Sequence, residues 1–138
     1  MAPAPDPPPF DLLRLASPAD IHRIAIVATA GFRYSPVFDW ERPKHAEFPQ
    51  DTLLSYLHEF TSAIKSPEHV VLVATDKFDP NEGEKTSAII PSNNGWCAPK
   101  PDDGDEVIVG VACLKLQPGS DREGSFQKDN GMYTFQSL

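Results

Sequence analysis

Four histidines, His22, His45, His58 and His69, are the first residues to weigh for acid–base or metal chemistry. No two of them stand four apart, the spacing that puts a pair of imidazoles on one helix face as metal ligands. A solvated or capping role is therefore the expectation for each. Asp39, Glu41 and Glu47 could act as acids or bases, with a solvated loop charge as the simpler reading. A serine nucleophile would need a strained turn such as Gly-x-Ser-x-Gly. Gly119-Ser120 and Gly124-Ser125 offer serines without that turn. No strand is followed by a Gly-rich turn and then a helix, so a phosphate-binding loop is not expected either. Cys97 and Cys113 make neither a metal pair nor a disulfide framework. Cys113 falls in a strand pattern, where a buried small apolar residue is expected. No catalytic residue, metal ligand or cofactor contact is assigned from these residues.

One stretch stands apart. Phe32-Arg33-Tyr34-Ser35-Pro36-Val37-Phe38-Asp39-Trp40-Glu41-Arg42-Pro43 is unusually aromatic for a connection. Large apolar side chains in a loop either close over the core or line a pocket. Phe32, Tyr34, Phe38 and Trp40 are the candidates for contact with a substrate, with plain packing as the competing role.

These residues need elements to place them. Phe10 to Leu15 alternates as a first strand. Ser17-Pro18-Ala19-Asp20 is a helix start, with a cap, a proline suited to the first position and an acid near the positive end. Ile21, Ile24, Ala25, Ala28 and Phe32 then form an apolar stripe at helical spacing, with Gly31 as the expected terminator. Asp51 or Thr52 caps the second helix, whose stripe is Leu53, Leu57, Phe60 and Ile64, with Tyr56 beside it. Ser66-Pro67 stops it. Strands follow at about 69–75 and 106–117. Both are apolar on both faces over part of their length, which predicts strands inside a covered sheet rather than at a bare edge. Gly110 predicts a bulge or a close neighbour.

Residues 76–105 are acidic and broken by Pro and Gly. They read as a disordered insertion at the tip of a hairpin, with Ala88-Ile89-Ile90 as an apolar island. Residues 1–9 hold five prolines and one charge, a solvated tail in which Pro5-x-x-Pro8 also fits a minimal polyproline docking pattern. Residues 128–138 read as an irregular tail.

The chain has 138 residues, a net charge of −8 and 15 prolines. That length is one domain at most. No Lys/Arg cluster exists to grip a phosphate backbone, so neither nucleic acid nor an anionic membrane is an expected partner. The N-terminus lacks the basic and apolar regions of a signal peptide, and a cytoplasmic protein is expected.

The order β-α-α-β-β, with Phe10-x-Leu12-x-x-Leu15-x-x-Pro18-x-Asp20 and Val109-Gly110-Val111-Ala112, resembles the first half of the GNAT superfamily of N-acetyltransferases. Gly31-Phe32, Ser35-Pro36, Phe38-x-Trp40-Glu41-Arg42-Pro43 and Phe48-Pro49-x-Asp51-Thr52 are similar to a fungal branch of it. The resemblance covers roughly residues 10–127. It implies an α+β fold: two helices on a mixed, mostly antiparallel sheet, carrying the insertion between its second and third strands. It implies acetyl transfer from acetyl-CoA to a small-molecule or peptide amine. The connection between the helices would shape the acceptor pocket, which again points to Phe32, Tyr34, Phe38 and Trp40.

The family grips the acetyl-CoA pyrophosphate with an Arg/Gln-x-x-Gly-x-Gly/Ala turn leading into a helix. Arg122-Glu123-Gly124-Ser125 and Gln127-Lys128-Asp129-Asn130-Gly131 both depart from that spacing. Met132-Tyr133-Thr134-Phe135 fits a brief fourth strand. The expectation is a half-domain, truncated, marginally stable and inactive by itself, with no acetyl-CoA site of its own. The alternative is a non-catalytic module that pairs, or self-associates, through an open sheet edge.

Overall fold

The computed structural model describes residues 13–85 and 101–127. The expectations for Phe10–Leu12, Ala88–Ile90, Cys97 and Met132–Phe135 fall outside them. The fold is α+β, with three α-helices and one three-stranded antiparallel sheet among the described residues. Strand β1 is Leu13–Leu15, β2 is His69–Lys77 and β3 is Glu106–Lys115. The order is β1-β2-β3. Leu15 lies opposite Leu72, and Val71 opposite Cys113.

A 3-10 turn at Pro18–Asp20 leads into α1, Ile21–Phe32. The Asp20 carboxylate accepts from the Ser17 N–H at 2.8 Å, which locks that turn. Ile24, Ala25 and Ala28 are buried, as the stripe predicts. Phe32 is not, at 47% exposed. Gly31 does not end the helix. The Arg33 N–H still donates to the Thr29 carbonyl at 3.2 Å, so the helical ladder runs past the glycine.

The aromatic connection is not irregular. Pro36–Glu41 forms a short helix, α2, capped by the Ser35 hydroxyl, which accepts from the Val37 N–H at 3.3 Å. The described residues therefore hold three α-helices where two were expected. Helix α3 is Pro49–Lys65. Pro49 occupies its first turn after a Phe48 cap, so neither Asp51 nor Thr52 caps it. Thr52 is instead buried, and its hydroxyl meets His45 Nδ1 at 2.8 Å. Ser66 ends α3 in an extended conformation ahead of Pro67.

Helices α1 and α3 pool Ile24, Ala25, Ala28, Leu53, Phe60 and Ile64 with Val71, Val73 and Ile108 of the sheet in one core. Each large side chain removed from water there is worth roughly 1.5–3 kcal/mol. The register slips by one residue at Ala74/Thr75, leaving Val109 as the extra residue of a bulge on β3. A Cβ on neighbouring Gly110 would lie 3.5 Å from Ala74 Cβ, so the glycine is both beside a bulge and closely approached.

Strand β2, paired on both sides, buries Val70, Val71 and Val73. Strand β3 does not match the expectation of full cover. Among the described residues it pairs with β2 alone, and Ala112 to Lys115 are exposed. Cys113 is exposed too, because it sits on that outer strand. The two ends of the 76–105 segment are ordered. Phe78 N–H donates to the Asp105 carbonyl at 2.7 Å, and Glu82–Lys85 forms a 3-10 turn. Residues 116–127 fold back on the α3–β2 connection. Leu116 N–H reaches the Glu68 carbonyl at 2.7 Å, and Gly124 N–H the Pro67 carbonyl at 2.8 Å.

Candidate functional site

Helix α1 has a second apolar side. Ile26 and Val27, half-buried against the margin of the core, and Ala30 line a groove of about 520 Å³ between α1 and the bulged part of β3. Val109 and Val111 form its opposite wall. Gly31 helps keep it open: beyond its own helix backbone and chain neighbours, no atom lies within 4 Å of where a Gly31 Cβ would stand. The volume is that of a small-molecule site, and the lining is the expected apolar kind.

One end of the groove is charged. Arg23 donates through Nε to the Ile108 carbonyl at 2.9 Å and through its two terminal nitrogens to Glu82 at 2.5 and 2.7 Å. Its guanidinium lies 5.9 Å from the centroid of the buried Phe78 ring. This bidentate pair ties the start of the acidic segment to α1 and makes Glu82 and Gly83 part of the wall.

The four aromatic candidates part company. Phe32 and Tyr34 stand at the groove. Phe38 is 2% exposed and belongs to the core, edge-on to His45 at 5.1 Å. Trp40 is 82% exposed and outside the groove lining. Cations hold this region. Arg33 lies 5.8 Å from the Phe38 centroid, and Arg42 lies 4.4 Å from that of Tyr56. Phe32 stacks on the same Tyr56 ring at 5.7 Å. Burial pushes the Tyr56 phenol up, against the pull of Arg42, with Glu59 and Glu41 adding to the rise.

A second cavity, about 390 Å³, lies between the first turn of α1 and β3 and is lined by Arg14, Asp20, His22, Thr75 and Glu106. Arg14 holds Asp20 at 2.7 Å, and the Thr75 hydroxyl donates to Glu106 at 2.6 Å. His22 Nδ1 is shielded from solvent and makes no hydrogen bond. His45 is buried rather than solvated, because it fills the space between Phe38 and Thr52. His69 meets the Ser66 hydroxyl at 2.8 Å, near a capping role. Asp39, Glu41 and Glu47 are exposed. Among the described residues no group of three or more His, Cys, Asp or Glu could hold a metal ion. No helix there is long and apolar enough to cross a membrane.

Residues 121–126 form turns with no helix after them among the described residues. Gly124 and Ser125 spend their N–H groups on the Pro67 and Arg122 carbonyls at 2.8 and 3.0 Å. They do not fit the grip of a pyrophosphate, which needs those donors unspent.

Sequence reasoning missed Arg23, Glu82 and Val109. The signal for the groove was present in Ile26, Val27 and Ala30, apolar residues that widen the stripe of α1 beyond its fully buried face. No protein-family model matches the chain. No solved structure matches it either. A fungal relative does, in line with the resemblance read from the motifs. Over 119 residues, 86% of its length, the chain is 31% identical to a protein named acetyltransferase from Stachybotrys chartarum, of which it spans 41%.

Proposed function

We propose that the chain forms the acceptor side of a GNAT-type N-acetyltransferase, which moves the acetyl group of acetyl-CoA to an amine in the cytoplasm. The observation that carries this reading is the 31% identity, over 119 residues, to a protein named acetyltransferase. The groove between α1 and β3, with Phe32 and Tyr34 at its edge, would hold the acceptor. In the transfer the amine nitrogen bonds to the acetyl carbon and the carbon–sulfur bond breaks. The amine gives up a proton and the thiolate of CoA gains one. The groove contributes orientation and exclusion of water. The 121–126 turns do not fit the pyrophosphate and supply no grip on acetyl-CoA in this reading. The 138 residues alone are inactive in this reading.

The test is the intact mass of the native product, followed by an assay with acetyl-CoA and a panel of amines. A longer product that carries an Arg/Gln-x-x-Gly-x-Gly/Ala turn and acetylates an amine supports the reading. A longer product without turnover overturns it. Turnover by residues 1–138 alone overturns the inactivity.

A second reading has its own observation. The outer edge of β3 is unpaired among the described residues, and Leu114 on it is 54% exposed. Such an edge recruits strands, from a partner or from a second copy. Light scattering over a concentration series tests this, and a well-folded strict monomer counts against self-association.

A further inference from the structure

We propose that the α1–β3 groove takes a primary amine with an apolar body and no carboxylate of its own, and that Glu82 receives its ammonium. The inference rests on the acetyltransferase reading for its biological meaning, but it concerns binding and is testable without acetyl-CoA.

The walls select the body. The side chains of Ile26, Val27, Ala30, Val109 and Val111 offer no partner to a polar chain, and Phe32 adds an aromatic ring. A ligand with hydroxyls or amides along its length would lose its water there without compensation.

The charged end selects the head. Arg23 looks at first like an anion reader. Its Nε and both terminal nitrogens are already engaged, and its side chain is only 17% exposed. Glu82 is the more open partner, at 37%. An ionised carboxylate has about four lone-pair directions, and the guanidinium occupies two. An incoming ammonium therefore meets unused acceptor capacity. An incoming carboxylate meets a cation already neutralised and must displace Glu82 to reach it. The chain's net charge of −8 biases the approach the same way. An α-amino acid carries both groups, and its carboxylate would sit against that of Glu82.

The experiment titrates the folded 138-residue chain with phenethylamine, phenylalanine and 3-phenylpropionate, read by amide shifts and calorimetry. Phenethylamine is expected to shift Val109, Val111 and Ile26, and to bind about tenfold or more tighter than phenylalanine, the scale of one charge-assisted contact. Glu82→Gln is expected to weaken it by a similar factor, while Glu84→Gln leaves it unchanged. Val109→Trp fills the groove without touching the ion pair and should abolish binding in a protein that still unfolds cooperatively. That variant decides the matter even if Glu82→Gln fails to fold.

Equal or tighter binding of phenylalanine or 3-phenylpropionate makes Arg23 the reader and overturns the proposal. So does phenethylamine binding that survives Val109→Trp, or no binding at millimolar concentration. Failure here leaves acetyl transfer through another site open. Binding here with no acetyl transfer by the native product sinks the functional reading and leaves the groove assignment standing.

Discussion

Arg14 on β1 grips the Asp20 carboxylate with both terminal nitrogens, at 2.7 and 2.9 Å, and so joins the first strand to the turn that starts α1. Burial works to raise the Asp20 pKa, but hydrogen bonds from Arg14 and Ser17 outweigh it and hold the carboxyl below its ordinary 3.8. A depressed folded-state pKa stabilises the protein above the unfolded value, and the stabilisation is lost as pH falls through the folded one. Stability is thus expected to drop below about pH 4, where the unfolded chain binds the proton first. Asp20→Asn should cost about 1–2 kcal/mol at pH 7, discounted because Arg14 is partly solvated. Its urea midpoint should depend less on pH in the acid range than that of the parent, which denaturant titrations at pH 7 and pH 3 will check.

Phe38 and Trp40 sit two residues apart on α2, about 200° around its axis, so one must face in when the other faces out. Phe38→Ala is expected to cost about 3–5 kcal/mol, the usual range for an emptied aromatic site in a core. Trp40→Ala should stay within about 0.5 kcal/mol of the parent. Thermal unfolding of the two variants side by side tests the assignment. Equal losses would mean that α2 packs differently.

Much of this fold was legible, and the reasons are local. Ser17-Pro18 and Ser66-Pro67 fixed the start of one helical segment and the end of another. Ile21, Ile24, Ala25 and Ala28 repeated at helical spacing and are buried. Ser35-Pro36 carries the same start signal as Ser17-Pro18, yet the crowd of aromatics behind it reads as a loop. Only once α2 exists does it follow that Phe38 and Trp40 take opposite sides. The site was less legible because its key pair is long-range. Arg23 and Glu82 are 59 residues apart, and no spacing rule connects them. Cys113 and its neighbours looked buried because a strand apolar on both faces usually is. The sequence of β3 carries that pattern whether or not a described strand lies beside it.

Tyr56 gives an alkaline counterpart to Asp20. Its phenol is raised above 10.0, first by burial. A raised folded-state pKa means that the unfolded chain releases the proton first, so stability present below about pH 10 is lost as pH rises through the folded value. Tyr56→Phe is expected to flatten that alkaline limb. Ultraviolet titration of the phenols should show one class ionising late in the parent and missing in the variant.

Gly31 offers a gain rather than a loss. It lies inside α1 with ordinary helical geometry and is not among the positive-φ glycines. Glycine in a helix interior costs roughly 0.5–1 kcal/mol relative to alanine, through the freedom of the unfolded chain. A Cβ there would meet nothing within 4 Å. Gly31→Ala should therefore stabilise the protein by about that amount, raising the urea midpoint at an unchanged slope. The same methyl would project into the groove, so a larger residue such as Gly31→Leu should keep the helix and crowd the cavity. If Gly31→Ala destabilises instead, α1 ends earlier than Phe32, and the glycine is the terminator that its position in the sequence implied.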